Sequence, residues 1–135
     1  MGQGYTSLFF LDEVTALAAG HRPCFYCRRE EAKNFAASWP NVDALDRLLH
    51  RERQSPQPNV EITELVDAAM VQIDDQFFAK RGKQLLRWSF AGYTSVVHIG
   101  PAMRAKLLTP PTITAILAKG YQPRWHASAL QWDTT

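Results

Sequence analysis

Four short runs rich in β-formers, Met70–Ile73, Phe77–Lys80, Gln84–Trp88 and Tyr93–Ile99, follow one another with only turn-length gaps. The gaps carry Asp74-Asp75, Arg81-Gly82-Lys83 and Ala91-Gly92, residues that suit tight reversals. Gaps this short cannot hold a crossover connection, so the strands must run antiparallel. The spacing therefore predicts an antiparallel meander in the second half of the chain. The segment Gly100–Lys106 fits neither strand nor helix decisively.

The first half reads as helical. Residues 6–11 suit a short strand, and Asp12 is a good N-cap for a helix to Ala19. Gly20 is the expected C′ residue, and Pro23 prevents continuation. A second helix is predicted from Cys24–Arg28 to about Trp39, with Ala32, Phe35, Ala36 and Trp39 as its core-facing stripe. Pro40 ends it. Asn41 caps a third helix with Val42, Leu45, Leu48 and Leu49 on one side and Asp43, Asp46, Arg47, Arg51 and Arg53 on the other. A short amphipathic turn is expected at Ile62–Val66. Thr109 is expected to cap a last helix, with Pro110 at its first position, Ile113, Ile116 and Leu117 facing inward, and a stop at Gly120.

The resulting expectation is one α+β domain over residues 1–135: a helical part at about 1–53, a linker at 54–59 and a β-rich part at about 60–135. In it, a helical N-terminal half packs on a small antiparallel β-meander and a C-terminal helix closes the domain. One echo crosses this division. Leu17-Ala18-Ala19-Gly20-His21-Arg22-Pro23 is matched by Leu117-Ala118-Lys119-Gly120-Tyr121-Gln122-Pro123. Both copies end a helix with glycine and send the chain on through proline, so that device is structural.

Composition sets the range of functions. With 46% hydrophobic and 21% charged residues, the chain can bury a core. A net charge of +2 permits nucleic-acid contact without demanding it. Two cysteines, no secretory signal and no apolar run near the roughly 20 residues of a membrane span predict a cytoplasmic protein without a membrane partner. The chain lacks a P-loop, G-x-G-x-x-G, G-x-S-x-G or H-E-x-x-H motif, and a non-catalytic role is favoured.

The chemical suggestion lies at Cys24 and Cys27, a C-x-x-C pair at the predicted start of the second helix. Helix-terminal N–H groups and Arg22, Arg28 and Arg29 favour thiolates there. Such thiols suit a metal, a redox pair or a nucleophile; two small core residues is the plain alternative. Zinc needs further ligands, and His21, His50 and His126 are the candidates, with His98 the least suited. A zinc shared by two copies through two C-x-x-C pairs, making a homodimer, would need no histidine. Arg22, Arg28, Arg29, Arg47 and Arg51 are the candidate contacts to nucleic acid or a protein partner. Trp39, Trp88 and Trp125 are read mainly as core.

The segment Asp12–Arg29, with its core Ala-Leu-Ala-Ala-Gly-His-Arg-Pro-Cys-Phe-Tyr-Cys, resembles the zinc-binding N-terminal domain of Ada-type DNA-repair regulators. That resemblance implies that Cys24 and Cys27 are the last two of four zinc ligands and that the module contacts DNA. The family's two upstream cysteines have no counterpart among the 23 residues before Cys24. Phosphotriester repair and a four-thiolate site within one chain are therefore excluded. The whole chain is also similar to uncharacterised bacterial proteins that are longer at the N-terminus, which implies a shortened relative lacking half a metal site.

The function expected is thus a small non-catalytic binding module with an Ada-like knuckle that binds zinc and contacts nucleic acid. The alternative is a protein-interaction module or small inhibitor, encoded by a mobile element, whose cysteines are structural. A thiol enzyme is the third reading.

Overall fold

The computed structural model describes residues 11–21, 35 and 42–132. The strand expected over 6–11, apart from Leu11, and the Cys24–Trp39 helix, apart from Phe35, lie outside the described residues. Phe35 itself is helical and buried.

The meander forms as its turns dictate. β2 (Met70–Ile73), β3 (Gln76–Arg81), β4 (Gln84–Ser89) and β5 (Gly92–His98) pair in succession, all antiparallel. Ile73 pairs with Gln76 and Arg81 with Gln84, so both turns are two residues long. A bulge between Arg87 and Trp88 shifts the β4–β5 register.

Two further strands alter the architecture. β6 (Arg104–Leu107) returns to lie against β2, and β1 (Asn59–Glu61) lies against β6. Among the described residues the sheet has six strands, in the order β1-β6-β2-β3-β4-β5. This corrects the expected α+β architecture. The protein is mostly a six-stranded antiparallel sheet with a few short helices, not a helical half laid on a small meander. The physical reason is that the supposed linker ends in an edge strand and the ambiguous segment supplies an inner one.

The sheet buries side chains on both faces, in the alternation that pleating imposes. Met70, Ala79, Leu86 and Trp88 join one core cluster, and Val71, Phe78, Leu85 and Ala105 join another. The first is covered by α1 (Glu13–Ala18), α2 (Val42–Arg53) and α3 (Pro111–Ala118) through Leu17, Leu45, Leu49, Ile113 and Leu117. The second is closed by Ile62, Leu65, Ile99 and Met103. Leu86 and Leu85 are fully buried; truncating either to alanine costs about 2–5 kcal/mol. The expected turn near Ile62 is a 3₁₀ turn over Ile62–Glu64.

The start of α3 differs from expectation. Pro110 occupies the cap without a side-chain bond, and Pro111 begins the helix. Thr109 is buried and its Oγ1 accepts the Met70 amide at 2.9 Å. Glu52 of α2 replaces it, accepting the Thr112 amide at 3.0 Å and the Thr112 hydroxyl at 2.5 Å. A carboxylate from a neighbouring helix thus meets the exposed N–H groups and positive end of α3. Among the described residues, no helix is long and apolar enough to cross a membrane.

Candidate functional site

Asp12 begins α1 as the sequence predicts: its Oδ1 accepts the Thr15 amide at 2.9 Å and the Thr15 hydroxyl at 2.7 Å. Its Oδ2 reaches across the molecule, accepting the Tyr93 hydroxyl at 2.9 Å and the His126 amide at 2.7 Å. Glu13 does the same for the preceding turn, accepting the Tyr121 hydroxyl at 2.7 Å and the Arg124 amide at 2.9 Å. Two adjacent carboxylates on a short helix therefore fix the segment 121–126. Burial, and then the Asp12 carboxylate beside it, hold the Tyr93 phenol far above its ordinary pKa. Tyr93 is a hydrogen-bond donor here, not an acid.

The fixed segment carries Trp125, with its ring centroid 5.7 Å from that of Tyr93. Arg81, at the end of β3, places its guanidinium carbon over the Trp125 ring, 4.9 Å from the centroid. Trp125 is half-buried and packs against the main core cluster. Trp88 is buried as expected. Arg81, Trp125, Tyr121 and Asp67 line one open groove. No local pattern announces this groove, because Arg81 and Trp125 come from distant parts of the chain. The Gly120–Pro123 echo was the one available signal of a built corner there.

The histidine candidates separate. His126 Nδ1 accepts the Ser128 amide at 3.1 Å and lies 2.8 Å from the Ser128 hydroxyl, which itself accepts the Tyr93 amide. Nδ1 is thereby engaged as an acceptor within the segment 126–128. His50 is exposed in the last turn of α2. His21 lies just past Gly20, its pKa lowered by partial burial and then by the Arg53 charge. Among the described residues, no three of His, Cys, Asp and Glu gather as a metal-holding group. Cys24 and Cys27 lie outside the described residues, as do Arg22, Arg28 and Arg29.

Arg47 and Arg51 are both exposed on α2, one helical turn apart, with His50 on the same side. Asp43, a turn before Arg47, is exposed as well. Comparison with family models, with curated proteins and with solved structures finds no match to this chain.

Proposed function

We propose that the protein is a small non-catalytic module that contacts nucleic acid through the exposed cationic face of α2. The observation that carries this reading is the juxtaposition of Arg47, His50 and Arg51 on solvent-facing positions of one helix. Two guanidinium groups a turn apart suit successive phosphates, and phosphate contacts need no base-reading apparatus. The arginine-flanked Cys24 and Cys27 extend the same reading, holding zinc with His21 or through a second copy of the chain. The overall charge of +2 is compatible with a weak, salt-dependent association.

The test is binding of labelled single- and double-stranded oligonucleotides by the full chain across a salt series. Affinity should fall as salt rises, and Arg47→Gln and Arg51→Gln should each reduce the logarithmic salt slope by about 1. Association that ignores salt, or none, refutes the proposal. Elemental analysis with native and denaturing thiol titration decides whether Cys24 and Cys27 hold metal.

One observation favours a second reading, a protein-interaction module. Phe90, in the β4–β5 turn, is 70% exposed, with its ring centroid 4.9 Å from Trp88. Aromatic side chains presented in this way anchor protein interfaces. A defined protein partner lost on Phe90→Ser, with oligonucleotide binding absent, would select this reading over the first.

A further inference from the structure

Among the described residues, the sheet ends in two unlike edges. β1 has three residues, follows Pro58 and carries Glu61, and its Asn59 carbonyl accepts Arg104 Nη2 at 3.1 Å. Short length, proline and charge are the usual ways of blunting an edge. β5, at the opposite edge, is seven residues long and contains no Asp, Glu, Lys, Arg or Pro. The 3₁₀ turn over Ala127–Trp132 covers only its beginning. There the Tyr93 amide donates to Ser128 Oγ at 2.8 Å, and the Tyr93 carbonyl accepts Trp132 Nε1 at 3.0 Å.

The rest of the edge is open. The Ile99 amide donates to the Lys83 carbonyl at 3.1 Å, and bonding residues alternate along an antiparallel ladder. Ser95 and Val97 therefore bond to β4, while Val96 and His98 turn their N–H and C=O groups outward. No hydrogen bond meets those groups among the described residues. Val97 is exposed although it stands opposite fully buried Leu85, so the apolar row of that face runs out to solvent here. Arg87, in β4 opposite Ser95, and Lys83, in the β3–β4 turn, are exposed, and neither makes an ion pair or a side-chain hydrogen bond among the described residues. No Asp or Glu occurs between Gln76 and Trp132, a stretch that holds eight Lys and Arg.

We infer that the open edge of β5 binds an extended acidic segment of another protein, which pairs with it as a seventh, antiparallel strand. The backbone of that segment satisfies Val96 and His98, an apolar side chain lies beside Val97, and carboxylates on the same face meet Arg87 and Lys83. Ser95 is short enough for a carboxylate to approach Arg87 across it. A second copy of this chain would bring its own Arg87 and Lys83 and no carboxylate, so like charge opposes self-pairing. A nucleic acid would answer the cations but not the unpaired backbone or Val97. The inference is independent of the α2 reading.

The experiment titrates the full chain with acetyl-Glu-Thr-Val-Thr-Glu-Thr-amide, whose glutamates and valine share one face of a strand. One control replaces both glutamates by lysine. Another N-methylates the two threonines flanking the valine, whose amides face β5 in the pairing. Binding is followed by amide chemical shifts and hydrogen exchange. The acidic peptide should saturate, with shifts centred on Val96, Val97 and His98 and slowed exchange at Val96 and His98. Each control peptide should bind at least about tenfold more weakly. Arg87→Glu should lose about tenfold in affinity for the acidic peptide and gain affinity for the lysine peptide. Equal binding of the acidic peptide and either control, saturable shifts only elsewhere, or no saturation at all would overturn the inference. So would protection of Val96 and His98 that grows with the concentration of the chain alone, which assigns the edge to a second copy, or shifts there with an oligonucleotide and not with the peptide. Should Arg87→Glu fail to fold, the peptide series on the unaltered protein still decides.

Discussion

The corners at Gly20 and Gly120 use the same seven-residue pattern and the same backbone device, yet they differ in what surrounds them. Both glycines follow a short helix and both adopt positive φ, +88° and +114°. In both, the glycine amide bonds back to the helix, Gly20 to Leu17 and Gly120 to Leu117, at 2.9 and 3.0 Å. The next amide reaches one residue further back, from His21 to Ala16 and from Tyr121 to Ile116. This is the reciprocal bonding of a Schellman-type helix stop. At Gly20 the Arg53 stem lies directly over the Cα, so that a Cβ would fall 2.4 Å from Arg53 Cδ. At Gly120 a Cβ would meet nothing within 4 Å, because this corner opens onto the groove. A local pattern fixes the chain reversal; only the tertiary neighbours decide whether the reversal is packed or open.

Gly20→Val tests the packed corner most severely. It combines left-handed strain of about 1–2 kcal/mol with displacement of the flexible Arg53 stem, at about 1 kcal/mol. Chemical denaturation should show a loss of about 2–3 kcal/mol. Gly120→Val carries the strain without the collision and should lose about 1–2 kcal/mol in the same assay. Equal losses at the two sites would erase the distinction between the corners.

The two corners are also tied together, since Asp12 and Glu13 open the helix that ends at Gly20 and hold the segment that follows Gly120. Asp12→Ala removes an N-cap, worth about 1 kcal/mol. It also leaves the Tyr93 hydroxyl and the His126 amide unsatisfied in a partly buried site, at about 1 kcal/mol or more. The expected total of about 2 kcal/mol should come with faster hydrogen exchange at His126. An unchanged exchange rate there would show that the segment 121–126 holds without α1.

A finer test removes the collision and keeps the strain. In an Arg53→Ala background, Gly20→Ala should cost about 1 kcal/mol, close to Gly120→Ala in the unaltered protein. The coupling between Gly20→Ala and Arg53→Ala should be on the order of 1 kcal/mol. Coupling near zero would mean that the Arg53 stem yields freely and contributes nothing to the corner.

Both glycine corners were legible in the sequence because they are local, and so were β2 to β5, where two-residue turns fix neighbouring strands. Asp12 was legible as a cap for the same reason. The strands that changed the architecture were not. Arg104–Leu107 has only four residues, and its partners lie in β2 and β1, far off in sequence. Asn59–Glu61 follows a proline-rich stretch that resembles a linker, yet the Pro58 carbonyl accepts the Leu107 amide at 2.8 Å. An edge strand tolerates proline at its border, which composition alone does not reveal. Thr109 carried a cap signal that Glu52 overrode from another helix. The Arg81–Trp125 cation–π contact joins residues with no shared period or motif, so only the folded chain brings it into view.

The smallest effect belongs to His21, at the packed corner. Partial burial, and secondarily the Arg53 charge, lower its pKa below the ordinary 6.5. The folded state therefore prefers the neutral ring. Below pH 6.5 the unfolded chain takes up the proton first, so the contribution of this group is complete above 6.5 and is lost as pH falls toward the depressed folded value. Because His21 still presents exposed surface, solvent screening keeps that loss small. Arg53→Gln removes the lesser of the two causes, so the His21 titration, followed by imidazole proton shifts, should move upward yet stay below 6.5. Gly120 has Tyr121 in the position of His21, so the open corner should show no matching titration. A His21 midpoint at or above 6.5 in the unaltered protein would place its ring in open water, and the packed corner would then be no more enclosed than its counterpart.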